Sequence, residues 1–258
     1  MVSDGQDHPA GLLKDRLVVV TGAGQGIGRA IAFGVAAAGA RVVVTDLNED
    51  RAESAARELR DTGRGAVSFL LDVTDAAARS EVARRVDEEV GCADVVVSNA
   101  GIIIRDPIDS PRAHENWRKV FDVNVNGTFN VVHAFIPALR KTRGCIINVA
   151  SVACFGGMNG ALGYSPSKGA VRLFTQALAR DLAPDGIRVN AVAPGIVATE
   201  MSASTRDNPA RLSGLMARTP MKCLGQPDEI AGPVVFLASA MASYVNGVIL
   251  PVDGGYLA

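Results

Sequence analysis

Short apolar runs rich in Val and Ile alternate with longer amphipathic segments along the chain, and this alternation limits the possible folds most. The predicted strands are Leu17–Val20, Arg41–Thr45, Val67–Leu71, Asp94–Ser98, Cys145–Ala150, Arg188–Val192 and Val248–Pro251. The predicted helices are Gly26–Ala38, Glu49–Thr62, Asp75–Val90, one or two within Arg112–Lys141, Tyr164–Leu182 and Pro227–Ala238. Such alternation produces right-handed βαβ units and a parallel sheet covered on both faces. We therefore expect an α/β fold of the Rossmann type, a doubly wound parallel sheet.

The alternation continues without a linker or low-complexity tract, so we expect one catalytic domain over residues 1–258. Residues 1–14 are interpreted as a polar N-terminal extension. The segment Met201–Lys222 lacks a clear period and contains two prolines. A connection of that length is usually either a functional lid or disordered.

Charge and cysteine usage narrow the functional class. The chain has 26 basic and 27 acidic residues, which gives no electrostatic basis for binding nucleic acid or an anionic membrane. No continuous apolar run of about 20 residues is present, and the N-terminus does not read as a secretory signal. The four cysteines form no CxxC pair and have no histidine at ligand spacing. We expect a cytoplasmic protein with reduced thiols and no metal site.

A glycine-rich turn follows the first predicted strand and leads into a helix. It reads Thr21-Gly22-Ala23-Gly24-Gln25-Gly26-Ile27-Gly28 and departs from G-x-G-x-x-G, matching T-G-x-x-x-G-x-G instead. Such a turn lets the backbone approach a pyrophosphate, and the helix N-terminus offers free N–H groups and a positive dipole end. Glycines at this place also occur only for tight turning, so the motif by itself leaves both interpretations open.

Strand ends beyond this turn carry further polar residues. Asp46 ends the second predicted strand, where a carboxylate can accept hydrogen bonds from both adenosine ribose hydroxyls and repel a 2′-phosphate, which favours NAD over NADP. The alternative is that Asp46 caps the following helix. Asp72 follows the third strand, at a position suited to the adenine amino group, or is simply a turn former. Asn99-Ala100-Gly101 follow the fourth strand, where small residues allow close backbone approach to a cofactor.

Three side chains are expected to converge near the nicotinamide. Tyr164 and Lys168 lie four residues apart at the start of a predicted helix, so they share a face. Ser151 follows the predicted strand Cys145–Ala150. A phenol needs its pKa lowered by about 3 units to act as a base at neutral pH, which corresponds to roughly 4 kcal/mol. An ammonium about 4 Å away can supply this at an effective dielectric near 20.

Roles follow from this convergence. Tyr164 becomes a general acid in reduction and a general base in oxidation, and Ser151 stabilises the substrate oxygen. A Tyr and a Lys at this spacing are also common on ordinary helices. The Tyr–Lys pair therefore indicates a catalytic site only in combination with the nucleotide-binding motif.

The motifs together resemble the classical short-chain dehydrogenase/reductase family. The matching pieces are TGAGQGIG at Thr21–Gly28, Asp72, SNAG at Ser98–Gly101, Asn124 in NVNG, Ser151, YSPSK at Tyr164–Lys168, Pro194-Gly195 with Thr199, and VDGGY at Val252–Tyr256. The family more often has NNAG where this chain has SNAG. The resemblance implies a proton relay through Asn124, Ser151, Tyr164 and Lys168, in which Asn124 holds a water and Lys168 also contacts the nicotinamide ribose.

The same resemblance implies the remaining contacts. The expected cofactor-binding residues are Gly22, Gly24, Gln25, Gly26, Ile27, Gly28, Asp46, Leu47, Asp72, Val73, Asn99, Ala100, Gly101, Tyr164, Lys168, Pro194, Gly195, Ile196 and Thr199. The expected substrate contacts are Ser151, Ala153, Asn159 and Tyr164. Residues 199–222 would form a substrate lid, and the family is usually homotetrameric.

We therefore expect an NAD-dependent dehydrogenase of a small secondary alcohol, polyol or sugar. An NADP-dependent 3-oxoacyl-thioester reductase acting on acyl carrier protein is the main alternative. Asp46 and the acidic Asp185, at a place where a basic docking residue would be expected, oppose it. A sugar-nucleotide epimerase usually carries a further substrate domain. A non-catalytic dinucleotide sensor would tend to lack part of the tetrad.

Overall fold

Seven strands form one parallel sheet in the computed structural model, which describes residues 11–258. They are β1 (Leu17–Thr21), β2 (Arg41–Asp46), β3 (Ala66–Leu70), β4 (Val95–Ser98), β5 (Cys145–Val149), β6 (Arg188–Pro194) and β7 (Ile249–Val252). Their spatial order is β3-β2-β1-β4-β5-β6-β7. The chain thus builds the sheet outward from β1 in two directions. The predicted doubly wound parallel sheet is confirmed.

Helices cover both faces of the sheet. They are α1 (Gly26–Ala37), α2 (Glu49–Asp61), α3 (Ala76–Glu89), α4 (Ala113–Phe121), α5 (Gly127–Thr142), α6 (Tyr164–Asp181), α7 (Ala203–Arg206), α8 (Pro209–Arg218) and α9 (Pro227–Ala238). Alternate residues of β1 enter two different cores: Val18 and Val20 pack with α1, α2 and α9, whereas Leu17 and Val19 pack with α3, α5 and the end of α6. Because both faces are buried, the strands read as unbroken apolar runs.

Several helix starts are determined by short polar residues. The Asn48 side chain accepts a hydrogen bond from Arg51 N at the start of α2, and Asp75 accepts from Ala77 N and Ala78 N at the start of α3. Such caps satisfy backbone N–H groups that lack a partner within the helix. The cap of α2 is therefore Asn48, and the interpretation of Asp46 as the capping residue is wrong.

One stretch differs from its sequence interpretation, and a second agrees with it and is resolved into two helices. The region Met201–Lys222, interpreted as an unpatterned connection, contains α7 and α8, with Asn208 capping α8 and Pro209 in its first turn. The region predicted to hold one or two helices contains α4 and α5, joined by a π-helical turn at Asp122–Asn126. Single π-turns inside helices are frequent at functional sites.

The N-terminal extension predicted for residues 1–14 lies mostly outside the described residues. Its last part is not free polar chain, because Leu13 is fully buried in the core and its backbone N donates to Ala38 O at 2.9 Å. Among residues 11–258, no helix combines the length and apolarity needed to cross a bilayer.

A close backbone crossing at Gly144 gives a test of the packing. A Cβ at this position would lie 2.0 Å from the carbonyl oxygen of Asp94. We expect Gly144→Ala to cost about 1–3 kcal/mol through overpacking and to lower the Tm by about 3–10 °C. Gly169→Ala is the matched control, because its Cβ meets nothing within 4 Å on α6. A calorimetric scan showing equal Tm values for the two variants would contradict this account.

Candidate active site

A cavity of about 1220 Å³ lies at the carboxyl edge of the sheet. It opens beside β1, where the chain switches from building toward β2 and β3 to building toward β4. Ligands in open α/β sheets bind at this switch point. The volume exceeds that of an ordinary small-molecule pocket, so it can hold a dinucleotide together with a second small molecule.

Nearly all of the predicted site residues line this one cavity. They are Gly22, Gln25, Gly26, Ile27, Gly28, Asp46, Leu47, Asp72, Val73, Asn99, Ala100, Gly101, Ser151, Ala153, Asn159, Tyr164, Lys168, Pro194, Gly195, Ile196 and Thr199. Gly24 and Asn124 are the two predicted residues that do not line it.

The glycine turn is held by contacts that exclude side chains. A Cβ on Gly28 would lie 2.1 Å from Gly22 O and 2.4 Å from Asn99 Nδ2. Asn99 Nδ2 donates to Thr21 O at 2.8 Å and to Gly22 O at 3.1 Å. Asn99 therefore ties the end of β4 to the turn after β1. Gly28 allows α1 to start against that pair of strands.

The first turn of α1 leaves backbone donors free for an anion. The side chain of Gln25, the residue before the helix, makes no capping hydrogen bond, and the first turn carries no acidic side chain. The N–H groups at the start of the helix and its positive dipole end thus face the cavity lined by Gly26, Ile27 and Gly28. This arrangement fits a pyrophosphate.

Asp46 is fixed by two backbone donors. Its Oδ2 accepts from Gly24 N at 3.0 Å, and its Oδ1 accepts from Asn48 N at 3.0 Å. A Cβ on Gly24 would lie 2.9 Å from Asp46 Oδ2 and 2.7 Å from Arg51 Cβ. Gly24 therefore lets the turn close onto the carboxylate, while Asp46 lines the cavity. Arg51 lines it too, from the first turn of α2.

Asp72 forms a local turn and also lines the cavity. Its Oδ1 accepts from Thr74 N at 2.8 Å and from Thr74 Oγ1 at 2.7 Å, which forms a local turn. It also lines the cavity beside Val73, whose carbonyl accepts from Asn130 Nδ2 at 3.1 Å. The turn holds the carboxylate at the cavity wall after β3.

Ser151 and Tyr164 meet at the end of β5 and the first residue of α6. The Ser151 Oγ accepts from Ala153 N at 3.1 Å, and Tyr164 packs with Ala153, Ala161, Ile103 and Met158. Hydrogen bonding with Ser151 lowers the pKa of Tyr164, but burial raises it more, so the pKa lies above its usual range. Among the protein's own groups, the expectation of a depressed tyrosine pKa is wrong.

The orientation of Lys168 explains this outcome. Its Nζ donates to Val149 O at 2.8 Å and lies 5.9 Å from the centroid of the Tyr164 ring, so it is directed at a backbone carbonyl. Lys168 is itself buried, and desolvation of the ammonium lowers its pKa from 10.5 to about 8. Tyrosine and lysine are thus both shifted toward their neutral forms.

Asn124 lies behind the cavity wall in the π-helical turn. Its Oδ1 accepts from Ile102 N at 2.8 Å, and its Nδ2 donates to Ile102 O at 2.9 Å and to Ser167 Oγ at 3.0 Å. A Cβ on Gly101 would lie 3.2 Å from Asn124 Oδ1 and 3.4 Å from Lys168 Nζ. Asn124 thereby joins the loop after β4 to the residue preceding Lys168.

The segment from Pro194 to Arg218 forms the far wall of the cavity. Thr199 N donates to Ser202 Oγ at 3.2 Å, and Arg206 Nη2 donates to Thr199 O at 3.0 Å, which links the loop after β6 to α7. Sequence reasoning did not identify Arg105, which reaches this wall through Thr205. No local pattern marks Arg105, because its partner is 100 residues away.

Comparison with known proteins agrees with this geometry. A family model described as enoyl-(acyl carrier protein) reductase matches residues 22–257. Cyclopentanol dehydrogenase of Comamonas sp. (strain NCIMB 9872) is 40% identical over 249 residues, covering 96% of this chain and 99% of that protein. The chain belongs to the classical short-chain dehydrogenase/reductase family.

Other members of the short-chain dehydrogenase/reductase family are named for different activities. Galactitol 2-dehydrogenase (L-tagatose-forming) of Cereibacter sphaeroides is 42% identical over 241 residues, covering 92% of this chain and 93% of that protein. The 3-oxoacyl-[acyl-carrier-protein] reductase FabG of Thermotoga maritima is 37% identical over 244 residues, covering 94% and 98%.

Two solved structures of the family superpose closely. A gluconate 5-dehydrogenase from Burkholderia cenocepacia J2315 in complex with NADP and tartrate has a TM-score of 0.91 and 38% identity, covering 95% of this chain and 96% of that chain. A 7α-hydroxysteroid dehydrogenase complexed with NADH and 7-oxo glycochenodeoxycholic acid has a TM-score of 0.90 and 34% identity, covering 95% and 96%. Family relatives thus hold either dinucleotide.

The buried Lys168 gives a pH-dependent test of this site. The unfolded chain keeps the lysine proton up to about pH 10.5, whereas in the folded protein the pKa is about 8. Because the unfolded state binds more protons between these values, the contribution of Lys168 to stability rises with pH by up to about 1.4 kcal/mol per unit. We expect the free energy of unfolding of the wild type, relative to Lys168→Met, to increase between pH 8 and 10 in denaturant titrations. A difference that does not change with pH would show that Lys168 is solvated.

Proposed function

We propose that this protein is an NAD-dependent oxidoreductase that interconverts a small secondary alcohol, polyol or sugar and its ketone. One observation carries the proposal. Ser151, Tyr164 and Lys168 line the same cavity as the glycine turn and Asp46. A group able to exchange the substrate proton is therefore adjacent to a space suited to a dinucleotide.

The residues of this cavity fit a dinucleotide at each of its parts. The start of α1 offers N–H groups to the pyrophosphate, Asp46 offers carboxylate oxygens to the adenosine ribose, and Asp72 with Val73 line the adenine end. Lys168 and the segment from Pro194 to Thr199 are placed to hold the nicotinamide end. The bound cofactor supplies the exchange of a hydride with the carbinol carbon.

Tyr164 is the proposed general acid and base. In the oxidation direction it accepts the hydroxyl proton of the substrate, and in reduction it returns that proton. Ser151 holds the substrate oxygen by a hydrogen bond. Lys168 lies one turn along α6 and provides positive charge when protonated, while Asn124 positions the loop and helix around it. Ala153 and Asn159 are proposed to contact the rest of the substrate.

The preference for NAD rests on Asp46. Its carboxylate lines the cavity at the end of β2 and would repel a 2′-phosphate. Arg51 lies beside it and would attract that phosphate, so the preference depends on the balance between the two side chains. Relatives complexed with NADP and with NADH both exist, which makes this balance specific to each chain.

Reduction of a 3-oxoacyl thioester remains the second candidate. It is favoured by the similarity to 3-oxoacyl-[acyl-carrier-protein] reductases. Asp185 is acidic, so it cannot serve as a basic docking point for an acidic carrier protein. It is paired on the surface with Arg140 at 2.8 Å. Turnover of an acyl thioester with NADPH, in preference to small alcohols with NAD, would support this candidate. A sensor without turnover would bind the dinucleotide and react with neither.

Assembly and location are also proposals. A homotetramer is proposed from membership of the family, and exposed apolar side chains on α5 and α6 support self-association. Phe129 and Leu173 are exposed there, and the Phe129 ring stacks on His133 with centroids 5.6 Å apart. All four cysteines lie in the described part of the chain and are free, which suits a reducing cytoplasm.

Substitution of Tyr164 tests the acid–base role. We expect Tyr164→Phe to lower kcat by about 10²–10⁴-fold, because the proton acceptor is lost. The dissociation constant for NADH should stay within about threefold. Tyr244→Phe is the matched control, because Tyr244 is fully exposed and outside the cavity. Steady-state kinetics that show undiminished turnover by Tyr164→Phe would refute the role of this phenol.

Substitution of Asp46 tests the cofactor preference. Asp46→Asn removes the charge that opposes a 2′-phosphate and leaves Arg51 beside it. We expect the ratio of kcat/KM for NAD to that for NADP to fall by about tenfold or more, corresponding to ~1.4 kcal/mol. Asp50→Asn is the control, because Asp50 is exposed and does not line the cavity. An unchanged ratio would mean that Asp46 does not contact the ribose.

A further inference from the structure

Arg105 is a half-buried cation without a carboxylate partner. It lies in the loop between β4 and α4 and lines the cavity that also contains Tyr164. Its Nη2 donates to Thr205 Oγ1 at 2.6 Å, and its Nε is buried without any hydrogen-bond acceptor. Among residues 11–258, Arg105 forms no ion pair within 4 Å.

Burial of this guanidinium is energetically unfavourable unless an anion joins it. An unsatisfied buried donor destabilises the folded protein, and a charged donor does so more strongly. Burial lowers the pKa of Arg105, and the nearby charge of Arg211 lowers it further. Arg211 lies in α8 and lines the same cavity. Two cations thus face one space.

The other charged side chains considered along this cavity do not neutralise Arg105 and Arg211. Lys119 adds a third cation from α4, and Arg218 lines the wall with its guanidinium stacked on the Tyr256 ring, 4.4 Å from its centroid. Within residues 199–222, Glu200 is the one carboxylate that lines the cavity. Among residues 11–258 it forms no ion pair within 4 Å. In the part of the chain that the structure describes, Arg105 and Arg211 therefore have no carboxylate within ion-pair distance.

We propose that Arg105, with Arg211, binds a carboxylate of the substrate, so the protein acts on secondary alcohols that bear a carboxylate, such as hydroxy acids and sugar acids. This inference rests on the proposed oxidoreductase function and adds the charge of the substrate to it. The planar guanidinium fork matches a carboxylate in two hydrogen bonds. Ser151 and Tyr164 take the hydroxyl end, and the apolar side chains of Ile103 and Met158 lie beside Tyr164.

The proposal separates two substrate classes that fit the same fold. A neutral polyol or cyclic alcohol would leave the charges of Arg105 and Arg211 without a counter-charge in the cavity. A carboxylate bound against the Arg105 guanidinium supplies that counter-charge and lowers the repulsion between Arg105 and Arg211. The acid should therefore be preferred over a neutral molecule of the same length and hydroxyl pattern.

Matched substrate pairs test this preference. Hydroxy acids and sugar acids of three to six carbons are assayed with NAD and NADP against the corresponding polyols, with a phosphorylated polyol as a third arm. We expect the wild type to favour at least one acid by tenfold or more in kcat/KM. Arg105→Gln should lower kcat/KM for that acid by roughly 10- to 100-fold, mainly through KM, because a charged hydrogen bond is lost. Its effect on the polyol should stay below about threefold.

Two control variants separate charge recognition from a structural role. Thr205→Val removes the partner of Arg105 but keeps the guanidinium charge, so it should change acid and polyol turnover by the same factor. Arg57→Gln removes an exposed arginine on α2 that does not line the cavity, and it should change neither. If Thr205→Val reproduces the loss of acid preference, Arg105 only holds α7 in place, and the proposal is overturned.

The remaining outcomes distinguish this inference from the proposed function. Turnover of polyols equal to or better than every acid, with Arg105→Gln affecting both alike, overturns the carboxylate site and leaves the oxidoreductase function intact. Preference for the phosphorylated polyol over every acid overturns the carboxylate assignment. If no compound is turned over, the proposed function fails. The role of Arg105 is then decided by calorimetric measurement of acid binding to the complex of the protein with NADH. Binding of an acid that is lost in Arg105→Gln supports it, and no binding overturns it.

Discussion

The approach of α1 to the end of β1 is the contact on which the site depends. A Cβ on Gly28 would lie 2.1 Å from the carbonyl of Gly22, so only a residue without a side chain lets the helix begin there. Asn99 and Asp46 then anchor the turn from β4 and β2, through hydrogen bonds to its carbonyls and to Gly24 N. Contacts from the ends of β2 and β4 thus fix the glycine turn that follows β1. The free N–H groups of the helix consequently face the same cavity as the side chains that follow β5.

Burial has the same electrostatic consequence for three groups around the cavity. It lowers the pKa values of Lys168 and Arg105 and raises that of Tyr164, so each charged form is less stable than it would be in water. The protein's own contacts offset this cost only in part, since Lys168 has one carbonyl and Arg105 one hydroxyl as acceptors. Charges brought by ligands therefore act strongly here, because little water screens them. Selectivity for ligand charge is a direct result of that burial.

Residue spacing predicted the elements but not the directions of their long side chains. Apolar runs identified all seven strands to within one or two residues, and the strand ends placed most of the predicted residues around one cavity. The hydrogen bond from Lys168 Nζ to Val149 O was not predicted, because only the three-dimensional fold brings that carbonyl near. Arg105 was missed for the same reason. The signal for α8 was readable, since Asn208 followed by Pro209 is a common helix start, yet the proline was read as a loop marker.

Substrate choice in this family has to arise from the loops that enclose the carboxyl edge of the sheet. A gluconate 5-dehydrogenase superposes with a TM-score of 0.91, and a cyclopentanol dehydrogenase is 40% identical over nearly the whole chain. The first is named for a sugar acid and the second for a neutral alcohol. The shared fold therefore does not encode the charge of the substrate. In this chain the cations that could encode it lie in the β4–α4 loop and in α8, outside β1, β4 and β5. A change from neutral to acidic substrates then needs only a few substitutions in these two segments, because the glycine turn, Ser151 and Tyr164 belong to other segments of the chain.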